Sequence, residues 1–267
     1  MLGLIIFSKN RAMQLQAAVD SIKINAPKLF GSIDVIYVAT GQEYQDAYDL
    51  FASRNPKVNL VKQSEDLVDT TLKLIKNPYI CLAADDDIFY KKVTNDWEKW
   101  MYDADVACFS MRLGLNIDYC YPMEKPNKIK KYDKTGKFIR FEWREQEYDW
   151  AYPMSSISHI YRTIDFINMC LRIDKDVTNL NQYEAALQEF NQELPKYMMC
   201  WDHSVVFGVP ANKVNETHDN NSGLKYPYTT ENLNGMYLSN RIIDIKSMDF
   251  DINAAQQEIE YKFKDYE

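Results

Sequence analysis

The sequence predicts an α/β protein, a mostly parallel sheet flanked by helices, and three observations predict it. Through residue 111, short apolar runs alternate strictly with stretches of helical spacing, the pattern of successive βαβ crossovers. Two polar motifs, Ser8-Lys9-Asn10-Arg11 and Asp85-Asp86-Asp87, directly follow apolar runs, which puts them beyond the carboxyl ends of strands, where such sheets bind ligands. With 46% apolar and 13% aromatic residues, a chain of 267 residues can also build a core on both faces of the sheet.

Taken in order, residues 2–7 read as the first strand, followed by a helix over 11–24 with Leu15, Val19 and Ile22 on one face and Asn10 as its N-cap. Strands at 33–39, 58–61, 79–84 and 106–111 then alternate with helices at 43–53, 65–76 and 94–102. Beyond Met111 the rhythm breaks into shorter, aromatic-rich segments of α+β character. Helices are expected at 164–171 and 183–192, and the end, from Thr230 on, reads as helical with little core of its own. No internal repeat or low-complexity linker interrupts the chain, so 1–267 is read as one domain.

The net charge of −8 disfavours tight non-specific binding to a nucleic-acid backbone. One segment, KPNKIKKYDKTGKFIR at 125–140, is markedly basic; it reads as a solvated hairpin or as a patch facing an anionic acceptor or a membrane. The five cysteines show no CxxC spacing and sit among apolar residues, as reduced core thiols do. The opening MLGLIIF is too short to span a membrane and lacks the form of a signal peptide, and no other apolar run approaches 18 residues. The expected location is the cytoplasm, the host's if the protein is viral.

The stretch YICLAADDDIFYKK, 79–92, raises the chemical question. Three adjacent carboxylates repel one another and have no cationic partner nearby in sequence. A hard divalent cation bound through oxygen supplies a counter-charge, and such ions take phosphate oxygens as further ligands. Lys9 and Arg11, with backbone N–H groups at a helix start, suit a nucleotide or its phosphates. GxGxxG, GxxxxGK[ST], GxSxG and HExxH are all absent, which removes the commonest dinucleotide, P-loop, hydrolase and zincin readings.

LIIFSKNRAMQLQAAVDSI, IDVIYVAT and CLAADDDIF resemble a glycosyltransferase of the GT-A fold, the Rossmann-like nucleotide-diphospho-sugar transferase class with an Asp-x-Asp motif. RLGLNI, DWAYPMSSISHIYRT, VPANKVNETHDNNSG and TTENLNGMYLSNRIID are similar to a viral and bacterial branch that includes chlorovirus capsid-glycan glycosyltransferases. The resemblance departs at Ile157-Ser158, where Asp-Gly is expected before His159. It implies a nucleotide-sugar-binding half at 1–111, an acceptor-binding and catalytic half at 112–229, and a C-terminal helical extension at 230–267. It assigns Phe7, Ser8, Lys9 and Arg11 to the donor nucleotide, Thr40 near its base or ribose, and Asp66 as the base contact. Asp85 would face the ribose or sugar and share in the metal site, Asp87 would ligate Mn²⁺ or Mg²⁺, Asp86 would play either part, and His218 would be a late metal ligand.

The activity so implied is metal-dependent transfer of a sugar, from UDP-sugar first of all, to a hydroxyl of a glycan acceptor, with inversion. An inverting enzyme needs a carboxylate to take the acceptor's proton, and Asp202, which follows an apolar aromatic run, is the candidate. Trp150, Tyr152, His159, Trp201 and His203 are the candidate acceptor residues, the aromatic ones, with Trp143, as a stacking platform or as core. Transfer to a modified nucleic-acid base, nucleotidyl transfer, and a non-catalytic nucleotide-sugar-binding module stand as alternatives.

Overall fold

The computed structural model describes residues 1–214 and 221–267. The alternating half runs β1 (Leu2–Lys9), α1 (Ala12–Asn25), β2 (Phe30–Val38), α2 (Gln42–Arg54), β3 (Asn59–Lys62), α3 (Leu67–Leu74), β4 (Tyr79–Ala84), β5 (Asp87–Phe89) and β6 (Val106–Ser110). The remainder contributes β7 (Tyr119–Cys120), β8 (Lys125–Pro126), β9 (Asp133–Thr135), β10 (Phe138–Glu142), β11 (His159–Arg162), α4 (Thr163–Cys170), α5 (Leu180–Gln188), β12 (Tyr197–Trp201), β13 (Val206–Gly208), α6 (Thr230–Leu238), β14 (Arg241–Ile243) and β15 (Phe263–Asp265).

One sheet of nine strands, in the order β3-β2-β1-β4-β11-β6-β12-β10-β9, spans both halves. Its first part is parallel as expected: Phe7 lies opposite Ile36 on one side and Ala84 on the other, so the carboxyl ends of β1, β2 and β4 are level. The second half makes the sheet mixed, because β11 inserts antiparallel between β4 and β6, and β10 runs antiparallel to both β9 and β12. Every residue of β1 except Lys9 is buried, which is what a strand covered on both faces requires.

Several local expectations are corrected. Asn10 does not cap α1; it sits at φ 58° and exchanges side-chain hydrogen bonds with Thr40, donating to its Oγ1 (2.7 Å) and accepting from its N–H (2.9 Å). Asparagine tolerates that left-handed backbone, and the sharp turn lets Arg11 start the helix. Residues 95–102 form a 3₁₀ helix rather than an α-helix. The C-terminal stretch is α-helical only in α6, capped by Thr229, and then passes through β14, one 3₁₀ turn at Ile245–Ser247, extended chain and β15. It also has a core: Leu233, Tyr237, Ile242, Ile243, Ile252 and Tyr261 are all buried. Beyond α6, the β-branched Ile242, Ile243 and Ile252 and the aromatic Tyr261 favour extended backbone over helix.

The basic segment folds as the solvated hairpin. Gly136, at φ 59°, makes the turn between β9 and β10, and Lys130, Lys134, Lys137 and Arg140 pair with Glu147, Asp202, Asp96 and Asp103. Those carboxylates neutralise the patch that an anionic partner would need. All five cysteines are free and buried. Among the described residues, no helix is long and apolar enough to cross a membrane.

Gly114 marks the tightest backbone approach: a Cβ there would lie 2.1 Å from the Ser204 nitrogen and 2.4 Å from the His203 carbonyl carbon. Backbone cannot yield as a flexible side chain does, so Gly114→Ala should destabilise the fold by at least about 2 kcal/mol. Thermal or urea unfolding of the variant measures this, and an unchanged midpoint would mean that the 114 and 203–204 loops part freely.

Candidate active site

A cleft of about 590 Å³ opens at the carboxyl ends of β1, β2 and β4, the position that level parallel strands dictate for a ligand. Phe7, Ser8, Lys9 and Arg11 line one side, with Ile36, Val38 and Gln63 beside them, and Ala84, Asp85 and Asp86 at the end of β4. Arg112, Tyr148, Asp149, Tyr152, Ser156 and Glu184 belong to the other wall.

The counter-charge to the triplet is Arg11. Its Nη1 donates to Asp85 Oδ1 at 3.1 Å and to Asp86 Oδ2 at 3.0 Å, while Nε donates to Asn212 Oδ1 at 2.7 Å and Nη2 to the Asn212 carbonyl. Asp85 is committed on both oxygens, since Oδ2 accepts from Ser8 Oγ (2.8 Å) and the Lys9 N–H (3.3 Å). Tyr48, fully buried on α2, braces this group through Ser8 Oγ (2.6 Å) and the Arg11 N–H (3.3 Å). Burial pushes the Asp85 carboxyl up to about 6 and Asp86 adds to the rise, against the opposing pull of Arg11. Burial raises Asp86 as well. For Arg11, burial works against the charge, yet Asp85 and Asp86 outweigh it and hold the guanidinium above its ordinary value.

Asp87 goes elsewhere. It begins β5, opposite Gly208 of β13, and is 1% exposed. Oδ2 accepts from the Ala84 N–H (3.2 Å) and Ser158 Oγ (3.3 Å), whereas Oδ1 has no hydrogen-bond partner. A Cβ on Gly208 would lie 3.3 Å from that oxygen, 3.4 Å from Gln256 Cγ and 3.6 Å from Ile157 Cδ1. The orphaned oxygen thus shares Gly208 as a neighbour with Gln256 and Ile157, two residues that line the cleft. Burial, then Asp86, push this carboxyl well above its ordinary range.

Among the described residues, no group of three or more His, Cys, Asp or Glu side chains is arranged as a metal cage. Mg²⁺ and ions like it need no such cage, because one or two carboxylates suffice when substrate phosphates complete the shell. Asp86, which lines the cleft, and Asp87, with its orphaned oxygen, fit that mode; Asp85 is already committed. His218 lies outside the described residues.

The other wall rests on a buried ion pair. Arg112 Nη1 donates to Asp149 Oδ1 at 2.9 Å, Asn127 Nδ2 donates to Asp149 Oδ2 at 2.8 Å, and Trp150 Nε1 donates to the Asn127 carbonyl at 2.9 Å. His159 accepts from Arg112 Nε on Nε2 (3.2 Å), which places its proton on Nδ1, facing the Pro153 carbonyl at 3.1 Å. Burial and then Arg112 hold this imidazole neutral, well below its usual pKa.

Of the residues singled out in the sequence, the cleft gathers Phe7, Ser8, Lys9, Arg11, Asp85, Asp86 and Tyr152. Thr40 is exposed and bound to Asn10, and Asp66 caps α3 through the N–H groups of Val68 (2.8 Å) and Asp69 (3.3 Å). Asp202 lies outside the cleft, paired with Lys134 at 2.9 Å, and His203 accepts from Lys91 at 2.6 Å. Trp150 and Trp201 are core, 1% and 5% exposed, and His159 is fully buried behind Arg112. The sequence reading did not single out Arg112, Asp149, Tyr148 or Glu184. Glu184 belongs to an unremarkable helical stretch, while the acidic Asp149 inside the aromatic run EYDWAYP was a usable signal.

The fold resembles that of solved glycosyltransferases. The chain is 25% identical over 251 residues to the bifunctional glycosyltransferase pgtA of Dictyostelium discoideum, a match that covers 81% of this chain and 33% of that protein. The chain thus spans about a third of its relative's length. S. aureus TarS superposes with a TM-score of 0.52 at 10% identity, over 78% of this chain and 36% of TarS. The Pyrobaculum calidifontis mannosyltransferase PcManGT, solved with GDP-Man and Mn²⁺, reaches only 0.44 at 13% identity, over 74% of this chain and 53% of its own, too loose a likeness to carry an argument. No protein-family profile matches the chain.

The raised carboxyl of Asp87 fixes the sign of one prediction. Its folded pKa lies above the unfolded value, so the proton it holds stabilises the fold fully below the ordinary value of 3.8, and that contribution is lost as pH rises through the folded pKa. Asp87→Asn should therefore raise the melting temperature in EDTA, by more at pH 7 than at pH 4, with a gain at pH 7 of about 1 kcal/mol or more, the scale of relieving one unsatisfied buried group. Differential scanning calorimetry at the two pH values decides; equal gains would show that charge burial at Asp87 is not the cause.

Proposed function

We propose that the chain is a metal-dependent glycosyltransferase that moves a sugar from a nucleotide-diphosphate sugar to a hydroxyl of a glycan, with inversion, and that UDP is the donor nucleotide to test first. The observation that carries the proposal is the cleft at the level ends of β1, β2 and β4, with Arg11 clamped between Asp85 and Asp86. The pgtA and TarS likenesses support the same reading. In it, the Ser8–Arg11 loop binds the nucleotide diphosphate, Gln63 and the ends of β2 and β3 border the base, and Arg11 spreads positive charge toward the phosphates while fixing Asp85 and Asp86. Mn²⁺ or Mg²⁺ held by Asp86 and Asp87 would neutralise charge developing on the leaving diphosphate.

Acceptor activation requires a carboxylate inside the cleft. Asp85 and Asp86 are paired with Arg11, Asp149 is paired with Arg112, and Asp202 is elsewhere. Glu184 is the remaining cleft carboxylate, and among the described residues it forms no ion pair. The Ser156 N–H (2.6 Å) and Ser156 Oγ both donate to its Oε2, which fixes the carboxylate's orientation. We assign it the removal of the acceptor's proton.

Two measurements test this reading. Isothermal titration of UDP should show binding in Mn²⁺ that falls at least about tenfold in EDTA, because the acidic end of β4 repels a diphosphate without a cation; equal affinities would remove the metal. Glu184→Gln should keep UDP affinity and lower transfer by about 10²-fold or more. A fully active Gln variant, or a product whose anomeric configuration by NMR is that of the donor, would take the base role from Glu184.

A further inference from the structure

Tyr148 carries a backbone strain that its neighbours turn to use. Among the described residues, five non-glycine positions have positive φ, and four of them, Asn10, Glu124, Tyr148 and Ser158, lie on or next to cleft-lining segments. Asparagine takes the left-handed region readily, but a bulky aromatic at φ 51° is an outlier that persists only where the surroundings fix it. What fixes it is the division of the next two side chains: Asp149 is held by Arg112 and Asn127, and Trp150 is buried with its indole N–H on the Asn127 carbonyl. With those two anchored, Tyr148 is left half-buried on the cleft wall, with Lys125 Nζ over its ring at 5.8 Å.

We propose that Tyr148, with Tyr152, is the platform on which the acceptor saccharide stacks, so that the cleft has a neutral-sugar subsite walled by residues 120–123 and 148–152. This rests on the glycosyltransferase reading and adds the acceptor's chemistry to it. An aromatic ring offers a flat apolar surface to the C–H face of a pyranose, while the ring hydroxyls need polar partners around the edge. Asp149, Arg112, Ser156 and Glu184 provide those partners on the same wall. Charge favours a neutral ligand over an anionic polymer: among the described lining residues, Lys9, Arg11, Arg112 and Lys213 are balanced by Asp85, Asp86, Asp149 and Glu184. Of the platform expected from Trp143, Trp150, Tyr152 and Trp201, Tyr152 stays on the cleft and Tyr148 joins it, because the three tryptophans are core.

Saturation-transfer NMR with methyl glycosides of glucose, galactose and mannose, recorded on the full chain with UDP and Mn²⁺, tests the subsite. At least one glycoside should receive saturation from the wild type; Tyr148→Phe should keep that signal within about twofold, and Tyr148→Ala should lower it about fivefold or more, the scale of one aromatic contact. UDP affinity should be unchanged in both variants, which a merely structural role for Tyr148 would not predict. Tyr148→Gly, which accepts the positive φ without strain, should lose the saccharide signal yet melt no lower than Tyr148→Ala. Wild-type protein that binds UDP but none of the three glycosides, or an Ala variant with wild-type signal, overturns the subsite. Glycoside binding that depends on Tyr148 in a protein that does not bind UDP would instead keep the subsite and sink the donor assignment.

Discussion

The bridge from Arg11 to Asp85 and Asp86 is the contact on which the rest of the site depends. It joins the loop after β1 to the end of β4 and, through Asn212, to the segment that follows β13. Removing one partner from such a buried pair leaves an uncompensated charge, a loss of about 3–5 kcal/mol. Tyr48 extends the bridge into α2, so the pairing of β1 with β4 and the placement of α2 are set by the same few polar atoms. Apolar burial forms the sheet; this polar group fixes how its edge is finished.

The opposite wall uses the same device with a different result. Arg112 and Asp149 are both under a tenth exposed, and each is satisfied further, by His159 and by Asn127. A buried pair braced by further hydrogen bonds is rigid, and rigidity lets three consecutive residues, Tyr148, Asp149 and Trp150, take three destinations. Between these walls, Glu184 is held by the neutral Ser156 and Tyr152, and among the described residues no cation pairs with it.

How legible this was in the sequence varied with the range of the interaction. The strands at 2–7, 33–39 and 79–84 lie within β1, overlap β2 and match β4 because an apolar run between two covered faces is a local signal. The counter-charge to Asp85 was not legible: Arg11 is 74 residues away, and only the parallel register of β1 and β4 makes the two neighbours. Asp87 shows the opposite limit. Three aspartates in a row look equivalent, yet the first two take Arg11 while the third, at the start of β5, takes the Ala84 N–H and the Ser158 hydroxyl. Of the aromatic candidates, Tyr152 lines the cleft as expected, whereas tryptophan's larger apolar area draws Trp143, Trp150 and Trp201 into the core.

The chain's last forty residues contribute to the cleft. Gly208 accepts from the Gln257 N–H and donates to the Ala255 carbonyl, which brings Gln256 onto the cleft beside Asp87. Two residues on, buried Glu258 accepts the N–H groups of Leu224 (2.9 Å), Lys225 (2.9 Å) and Tyr226 (3.4 Å), together with the Tyr121 hydroxyl. Burial alone would push that carboxyl up, but Tyr121 and the backbone N–H groups outweigh it and hold it below its ordinary value. Its contribution is therefore present at neutral pH and is lost as pH falls through the folded value. Glu258 so ties together Tyr121, next to the cleft-lining Cys120 and Pro122, and the residues just beyond the cleft-lining Asn221 and Ser222. The Ser8–Arg11 loop, the Arg112–Asp149 wall and the C-terminal segment meet around one cavity, and each is held there by a buried charge whose hydrogen bonds come from a part of the chain remote in sequence.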